Sequence, residues 1–251
     1  MLAIEGLQKS FGGVKAVSDL NLRFPPGSIT AVIGPNGAGK TTLFNLITGH
    51  LRPDHGRIIL GGEDIAGLHR VEIVRRGIGR GFQVASLFSS LSVEEAITAT
   101  VLSHRGQAGI ILRRFPLATS QARAEEIMSL LGLLDVRSVL SRNLSHGDQK
   151  LLDIGLALAL EPRVLLLDEP TAGMGPDERW QMIEKVQRLW RSERMTLVFV
   201  EHDMDIVFKI AETVRVLRGG TVLAEGVPDE VRRNPAVIEA YLGVVHEEGR
   251  L

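Results

Sequence analysis

The sequence contains no cysteine among its 251 residues. That excludes a disulfide framework and any chemistry that needs a thiolate nucleophile or thiolate metal ligand. Aromatic side chains make up only 4%, too few for the stacking platforms that hold single-stranded nucleic acid. Charge of either sign is not in excess: 29 Lys and Arg against 30 Asp and Glu give a formal net charge of −1. No general pull toward nucleic acid or an anionic membrane is expected from it. No uninterrupted apolar run approaches the roughly 20 residues that cross a bilayer. The opening residues Met1-Leu2-Ala3-Ile4-Glu5 lack the basic region and long apolar core of a signal peptide. The expectation is a soluble, cytosolic chain. In that compartment the acceptor-like triplet Asn143-Leu144-Ser145 has no glycosylation to direct. Internal repeats and low-complexity tails are also missing. What remains, 44% hydrophobic and 24% charged residues, is the composition of a globular protein able to bury a sizeable core.

The most informative stretch that is present runs Gly34-Pro35-Asn36-Gly37-Ala38-Gly39-Lys40-Thr41. It has the form G-x-x-x-x-G-K-[ST] of a phosphate-binding loop. Its glycines let backbone N–H groups wrap a polyphosphate, Lys40 sends its ammonium to the β- and γ-phosphates, and the Thr41 hydroxyl is placed to ligate Mg²⁺. The context agrees. Ser28 to Ile33 is an apolar, β-branched run that reads as a buried strand. Leu43, Leu46 and Ile47 recur at helical spacing, with Gly49 as a C-terminal stop. The helix N-terminus adds its own attraction for anions.

Around this loop the pattern alternates. Arg57 to Leu60, Gly61-Gly62 and Glu63-Asp64-Ile65 read as a strand, a turn and a short strand. From about Ser92 to Gly132 the chain reads as helical, with Ile127, Leu130, Leu131 and Leu134 on one face. A loop-like insertion lies between its helices at Gly106 to Gly109 and Arg113-Arg114-Phe115-Pro116. Val164 to Leu167 is a continuous apolar run suited to a parallel strand covered on both faces. Trp180, Ile183, Val186 and Trp190 mark a following helix, and Thr196 to Val200 a second buried strand. Val214 to Leu217 and Thr221 to Ala224 flank Gly219-Gly220 as a hairpin. The predicted fold is α/β: a phosphate-loop core with a mostly parallel sheet, an antiparallel N-terminal subdomain and a helical insertion.

Other residues suit the same chemistry. Asp168 and Glu169 end the Leu165-Leu166-Leu167 strand, and ligands of open parallel sheets collect at that edge. Asp168 can hold Mg²⁺ through water, and Glu169 can orient and polarise an attacking water. The alternative is two solvated carboxylates, and the phosphate loop argues against it. His202 follows the strand Thr196 to Val200 and can reach the same edge, although a lone strand-end histidine is more often just exposed. Gln83, after Gly81-Phe82, can offer its amide to Mg²⁺ or water, or serve only as a solvated loop residue. Ser145 reads as the N-cap of a helix through Leu151, Leu152, Ile154 and Leu158. With Gly147 beside it, this helix start can meet a phosphate, but on spacing alone a capped buried helix accounts for it.

Taken in order, these residues resemble the ATPase subunits of ABC transporters over essentially the whole chain. The phosphate loop, Gln83, Leu144 to Gln149, Asp168-Glu169, the turn Ala172 to Asp177 and His202 match that family's ordered set. The resemblance implies a single ATPase domain over residues 1–251, with a helical subdomain at about 84–160. It implies ATP and Mg²⁺ as ligands. Nucleotide would be held by Phe11, stacked on adenine, by Gly34 to Thr41 with Thr42, and by Ser145 and Gly147. Thr41, Gln83 and Asp168 would face the metal, and Glu169, His202, Lys40 and Gln83 would take part in catalysis. Read from composition, Phe11 is equally a core residue of the first strand. The family's mechanism pairs two ATPase subunits head to tail, so that Ser145 and Gly147 of one meet the γ-phosphate held by Lys40 of the other. The loop Val84 to Phe88 would receive a helix from a permease.

Finer detail is similar to one branch. Val200 to Met204 and the tail Pro235 to Gly243 look like the first ATPase of branched-chain amino acid importers, and equally like urea importers. That implies a homomeric or mixed ATPase pair, membrane permeases, a substrate-binding protein, no nucleic acid, and a peripheral place on the cytoplasmic membrane face. The competing readings are a lipid or lipopolysaccharide export ATPase, a soluble ABC protein of DNA repair or translation, and a phosphate-loop kinase. Two positions depart from the family's Leu-Ser-Gly-Gly-Gln signature. His146 replaces a glycine, and Asp148 replaces a glutamine. An acid there suits a helix N-terminus and repels a phosphate, so Asp148 is assigned to the helix cap.

Overall fold

The computed structural model describes residues 1–81, 88–106 and 118–247. Gln83, the loop 84–87 and the insertion around Arg113 to Pro116 lie outside the described residues. The chain divides into two compact units, Met1–Arg76 with Met195–Leu251, and Gly77–Arg194.

The first unit carries two sheets. One is antiparallel, in the order β2-β1-β4-β5, from β1 (Leu2–Phe11), β2 (Val14–Phe24), β4 (His55–Leu60) and β5 (Glu63–Asp64). In β2 the residues Leu20, Leu22 and Phe24 alternate inward as a one-faced strand must, but Val17 is buried out of phase. The break is absorbed at Asp19, which takes φ 53°, and by register shifts against β1 between Ile4 and Leu7 and between Leu7 and Lys9. The other strands run β10-β9-β3-β8. Here β3 (Ile29–Ile33) lies between β8 (Thr196–Val200) and β9 (Thr213–Arg218), parallel to both. All five residues of β3 are buried, which is why the run carries no polar alternation. The Gly219-Gly220 turn returns the chain into antiparallel β10 (Thr221–Gly226). Arg215 on β9 is 3% exposed. It donates to Glu225 at 2.9 Å and to the Arg23 carbonyl, and its guanidinium sits 4.3 Å from the Phe24 ring centroid. It thereby fastens the antiparallel sheet to the parallel strands. Helices α1 (Lys40–Ile47), α2 (Arg70–Arg75), α7 (Met204–Ile210), α8 (Pro228–Arg233) and α9 (Pro235–Glu247) complete the unit.

The second unit pairs β6 (Ile78–Gly81) in parallel with β7 (Val164–Asp168) and adds α3 (Val93–His104), α4 (Ala118–Leu131), α5 (His146–Leu158) and α6 (Pro176–Glu193). A reciprocal cap starts α3: Ser92 N–H donates to Glu95 at 2.8 Å, and Glu95 N–H to the Ser92 hydroxyl at 3.3 Å. Helices α3, α4 and α5 converge on Gly155, where a Cβ would lie 3.2 Å from Leu131 and 3.4 Å from Ile127 and Ile97. Arg123 ties α4 to α6 through Glu193 at 2.9 Å.

One reading of periodicity is corrected, and the helix marked by Trp180, Ile183, Val186 and Trp190 is present as α6. Leu134 does not extend the apolar face of α4. The helix stops at Leu131 after Gly132 takes φ 67°, and Leu134 is 37% exposed in a separate 3-10 turn. In α6 the buried stripe is Met182, Ile183, Val186 and Leu189, while Trp180 and Trp190 flank it half-buried. Their indole rings are too large for the seam and cover its margin. Among the described residues no helix is long and apolar enough to cross a membrane.

Candidate active site

In the first unit the phosphate loop is held by backbone on both sides. A Cβ at Gly34 (φ 150°) would lie 2.2 Å from the Leu217 carbonyl, and one at Gly39 (φ 99°) would lie 2.4 Å from the Ala16 carbonyl. Only glycine permits those approaches. Gly220 N–H donates to the Ala38 carbonyl at 3.2 Å, so the β9–β10 turn braces the loop. Gly37 (φ 76°) has nothing within 4 Å of its would-be Cβ, and Asn36, Gly37 and Thr41 are exposed. Gly39 caps α1 without a side-chain hydrogen bond. The first-turn N–H groups are therefore aimed at whatever the loop encloses. Lys40 is 7% exposed, and its ammonium donates to the Gly34 carbonyl at 2.6 Å and the Pro35 carbonyl at 3.1 Å. The loop thus holds its own lysine against its backbone carbonyls. Thr42 is half-buried in the first turn.

Strands β3 and β8 are in parallel register, Ala31 opposite Phe199, so His202 leaves the same sheet edge as the loop. It is exposed, and its N–H donates to the carboxylate of buried Glu201 at 3.2 Å. Asp203 caps α7 by accepting from Asp205 and Ile206. Phe11 is 46% exposed where β1 turns through Gly12 and Gly13, with the Lys9 ammonium 5.6 Å from its ring centroid. It is therefore not a core residue. Tyr241 of α9 lies against the Gly34 backbone, and burial pushes its phenol up to about 12 although that backbone hydrogen bond opposes the rise.

In the second unit Asp168 ends β7 and accepts from Arg80 at 2.7 Å. Glu169 follows with φ 50°, a left-handed conformation that costs a non-glycine residue about 1 kcal/mol or more. Surroundings hold it there. The Lys150 ammonium donates to the Glu169 carbonyl at 3.0 Å and to the Ala172 carbonyl at 2.7 Å, and Ala172 N–H donates to the Glu169 carbonyl at 3.1 Å. One lysine on α5 thereby sets the backbone that presents Glu169. If Glu169 is the group that aligns the attacking water, replacing Lys150 by Ala is expected to lower turnover by up to about 10²-fold, the scale of a misplaced reacting group, with ligand affinity unchanged in an equilibrium titration.

Ser145 caps α5 as expected. Its hydroxyl accepts Asp148 N–H at 3.1 Å and donates to the Asp148 carboxylate at 2.7 Å, so Asp148 belongs to the cap. A Cβ at Gly147 would meet nothing closer than 3.9 Å, so packing alone does not require glycine there. The His146 ring packs on the turn after β7, 3.3 Å from where a Gly173 Cβ would stand.

The Thr41 hydroxyl in the first unit and the Asp168 carboxylate in the second are each hard oxygen donors, the kind that Mg²⁺ takes. Among the described residues no three His, Cys, Asp or Glu cluster as a metal cage. Arg80, Lys150 and Tyr241 were not singled out in the sequence. The one trace of Arg80 there is a cation between Gly79 and Gly81 in an otherwise apolar strand.

Comparison with known proteins decides the family. Residues 17–172 match the family described as ABC transporter. The chain belongs to it. Residues 221–247 match a second family, the branched-chain amino acid ATP-binding cassette transporter. The cassette is 39% identical to the high-affinity branched-chain amino acid transport ATP-binding protein LivG of Escherichia coli, covering 97% of this chain and 98% of that one. It is 35% identical to the corresponding BraF of Pseudomonas aeruginosa over the same shares. A solved ATP-binding cassette of an ABC transporter in its ADP conformation superposes with a TM-score of 0.84 at 29% identity, covering 97% and 98% of the two chains. A dimeric cassette bound to ADP and Pi matches with a TM-score of 0.75 at 24% identity, over 91% and 99%, and bears on the fold alone. The cassette is an ABC-type ATPase, α/β in fold as its sequence predicts.

Proposed function

We propose that this cassette hydrolyses ATP to power an importer of branched-chain amino acids or similar small amides, working at the cytoplasmic membrane face beside partner permeases and a substrate-binding protein. The observation that carries the reading is the match of residues 221–247 to the branched-chain amino acid cassette family, on a chain whose LivG and BraF relatives align almost end to end.

Each residue then has a role. The amides of Gly34 to Thr42 and the Lys40 ammonium hold the phosphates, and Phe11 stacks on adenine. Thr41, Asp168 and Gln83 would hold Mg²⁺, which when bound would neutralise charge on the phosphate oxygens. Glu169 accepts a proton from the attacking water and aligns it, while His202 offers a hydrogen bond to the γ-phosphate. Ser145 and Gly147 serve the nucleotide of a second cassette, since exposed Ser145 and unconstrained Gly147 are open to approach from outside. Domain limits follow the same reading: one ATPase domain over 1–251, with the helical part at about 84–160.

Two experiments test this. Co-purification from native membranes should recover permeases and a second cassette, and vesicles of the assembly should take up leucine or urea only with ATP. Assembly with an export machinery, or no uptake of either, contradicts the cargo reading. Replacing Ser145 by Arg should leave ATP binding by the single cassette intact and abolish ATP-dependent pairing, read by sedimentation. Pairing at wild-type strength would remove Ser145 from the shared site.

A further inference from the structure

Arg80 is a buried cation to which the nucleotide reading gives no task. Its backbone is fixed on both sides. A Cβ on Gly79 would lie 3.0 Å from Pro162, and one on Gly81 would lie 2.9 Å from Leu167. Strand β6 is therefore seated hard against the start and end of β7, in a register that sets Arg80 opposite Leu166 and Gly81 opposite Leu167. From there the side chain, 6% exposed, runs along the strand to put Nη2 2.7 Å from Oδ2 of Asp168, itself 22% exposed. Burial pulls the guanidinium below its ordinary pKa range, and Asp168 pulls it back. Arginine stays charged under both influences.

An ion pair of this kind often serves only to join two elements. Here β6 and β7 are already joined by a four-residue parallel ladder and by the close approaches at Gly79 and Gly81. What the pair adds is control of one carboxylate. A guanidinium on Oδ2 restrains rotation of the carboxylate and makes its two oxygens unequal, Oδ2 being committed to Arg80. Partners that orient metal-ligating side chains from behind commonly govern metal affinity by 10–100-fold, and a carboxylate acting through water is placed at the low end of that range.

We propose that Arg80 is a positioning residue that fixes which oxygen of Asp168 faces the hydration shell of the nucleotide-bound Mg²⁺. The proposal rests on the reading of Asp168 as a metal-side carboxylate. It gives a task to a buried side chain that reaches Asp168. It also makes a bare, freely rotating Asp168 the weaker metal partner, despite its greater net negative charge.

The test uses Mn²⁺ as a paramagnetic probe, titrated into the full-length cassette with ADP and followed by electron paramagnetic resonance. Arg80→Gln should weaken Mn²⁺ about tenfold while ADP affinity measured in EDTA stays at the wild-type value. Arg80→Lys, which restores the charge and one hydrogen bond, should recover part of the loss. In turnover assays, the deficit of Arg80→Gln should appear in kcat at limiting Mg²⁺ and shrink as Mg²⁺ is raised, with KM for ATP little changed. Asp168→Asn separates the two levels of the reading. If it weakens Mn²⁺ and Arg80→Gln does not, the positioning role is wrong and Asp168 keeps its own. If Asp168→Asn leaves Mn²⁺ binding unchanged, the metal-side reading of Asp168 falls and Arg80's task falls with it. Tighter Mn²⁺ binding by Arg80→Gln would make Arg80 a competing counter-charge and overturn the proposal. Should Arg80→Gln fail to fold by circular dichroism, Arg80→Lys decides alone: Mn²⁺ affinity equal to wild type contradicts the proposal, and a partial loss with unchanged ADP affinity supports it.

Discussion

Replacing Glu169 by Gln is expected to leave ATP bound and nearly uncut. The amide keeps the volume and one carbonyl acceptor, but it cannot take a proton from water. Loss of a positioned general base lowers turnover by about 10²–10⁴-fold, or about 3–5 kcal/mol at 1.36 kcal/mol per decade. Ground-state affinity should hardly move, because the side chain acts on the water and not on the nucleotide. The backbone geometry sharpens the prediction. Glu169 sits at φ 50° with its carbonyl held by Lys150 and Ala172. Glutamine can occupy the same pinned conformation, so the change is chemical and not a collapse of the loop. Single-turnover hydrolysis beside an equilibrium ATP titration checks it. Near wild-type hydrolysis in this variant would take Glu169 out of its assigned role.

Replacing Lys40 by Ala should act at the earlier step. The ammonium is buried and satisfied by the Gly34 and Pro35 carbonyls, so the loop is shaped around a positive charge. Phosphate oxygens lose that charge in the variant, and the two carbonyls lose their donor. Removing one partner of a buried, hydrogen-bonded charge pair costs about 2 kcal/mol or more, roughly thirtyfold or more in Kd at 1.4 kcal/mol per decade. Calorimetry with ATP should show that weakening. Unchanged affinity would contradict the phosphate-loop assignment. Together the two variants separate holding from cutting.

What could be read from the sequence follows from how its residues are spaced along the chain. The phosphate loop was legible because all of its parts are consecutive and each has one reason to be present. The strands β3, β7 and β8 were legible because burial on both faces leaves unbroken apolar runs. The cap at Ser145 was legible from a local hydrogen-bond pattern, and Asp148 was placed beside it because an acid suits a helix N-terminus and repels a phosphate. Arg80 and Asp168 stand 88 residues apart, so nothing local announces their pair. Lys150 meets Glu169 across 19 residues, and its role appears only once α5 is packed beside β7. Leu134 misled because a helical period continues on paper past Gly132, where the backbone turns left-handed. Phe11 was left open between core and surface because a hairpin tip and a buried strand end look alike in composition.

The central claim is that one cassette alone cannot complete a catalytic site, because Ser145 and Gly147 serve a nucleotide held by another. Specific ATPase activity across a dilution series, with association state followed by sedimentation, tests it most directly. Activity per molecule should rise with concentration, follow the fraction paired in ATP, and fade as pairs dissociate. Constant activity per molecule, down to dilutions at which only single cassettes sediment, would contradict it.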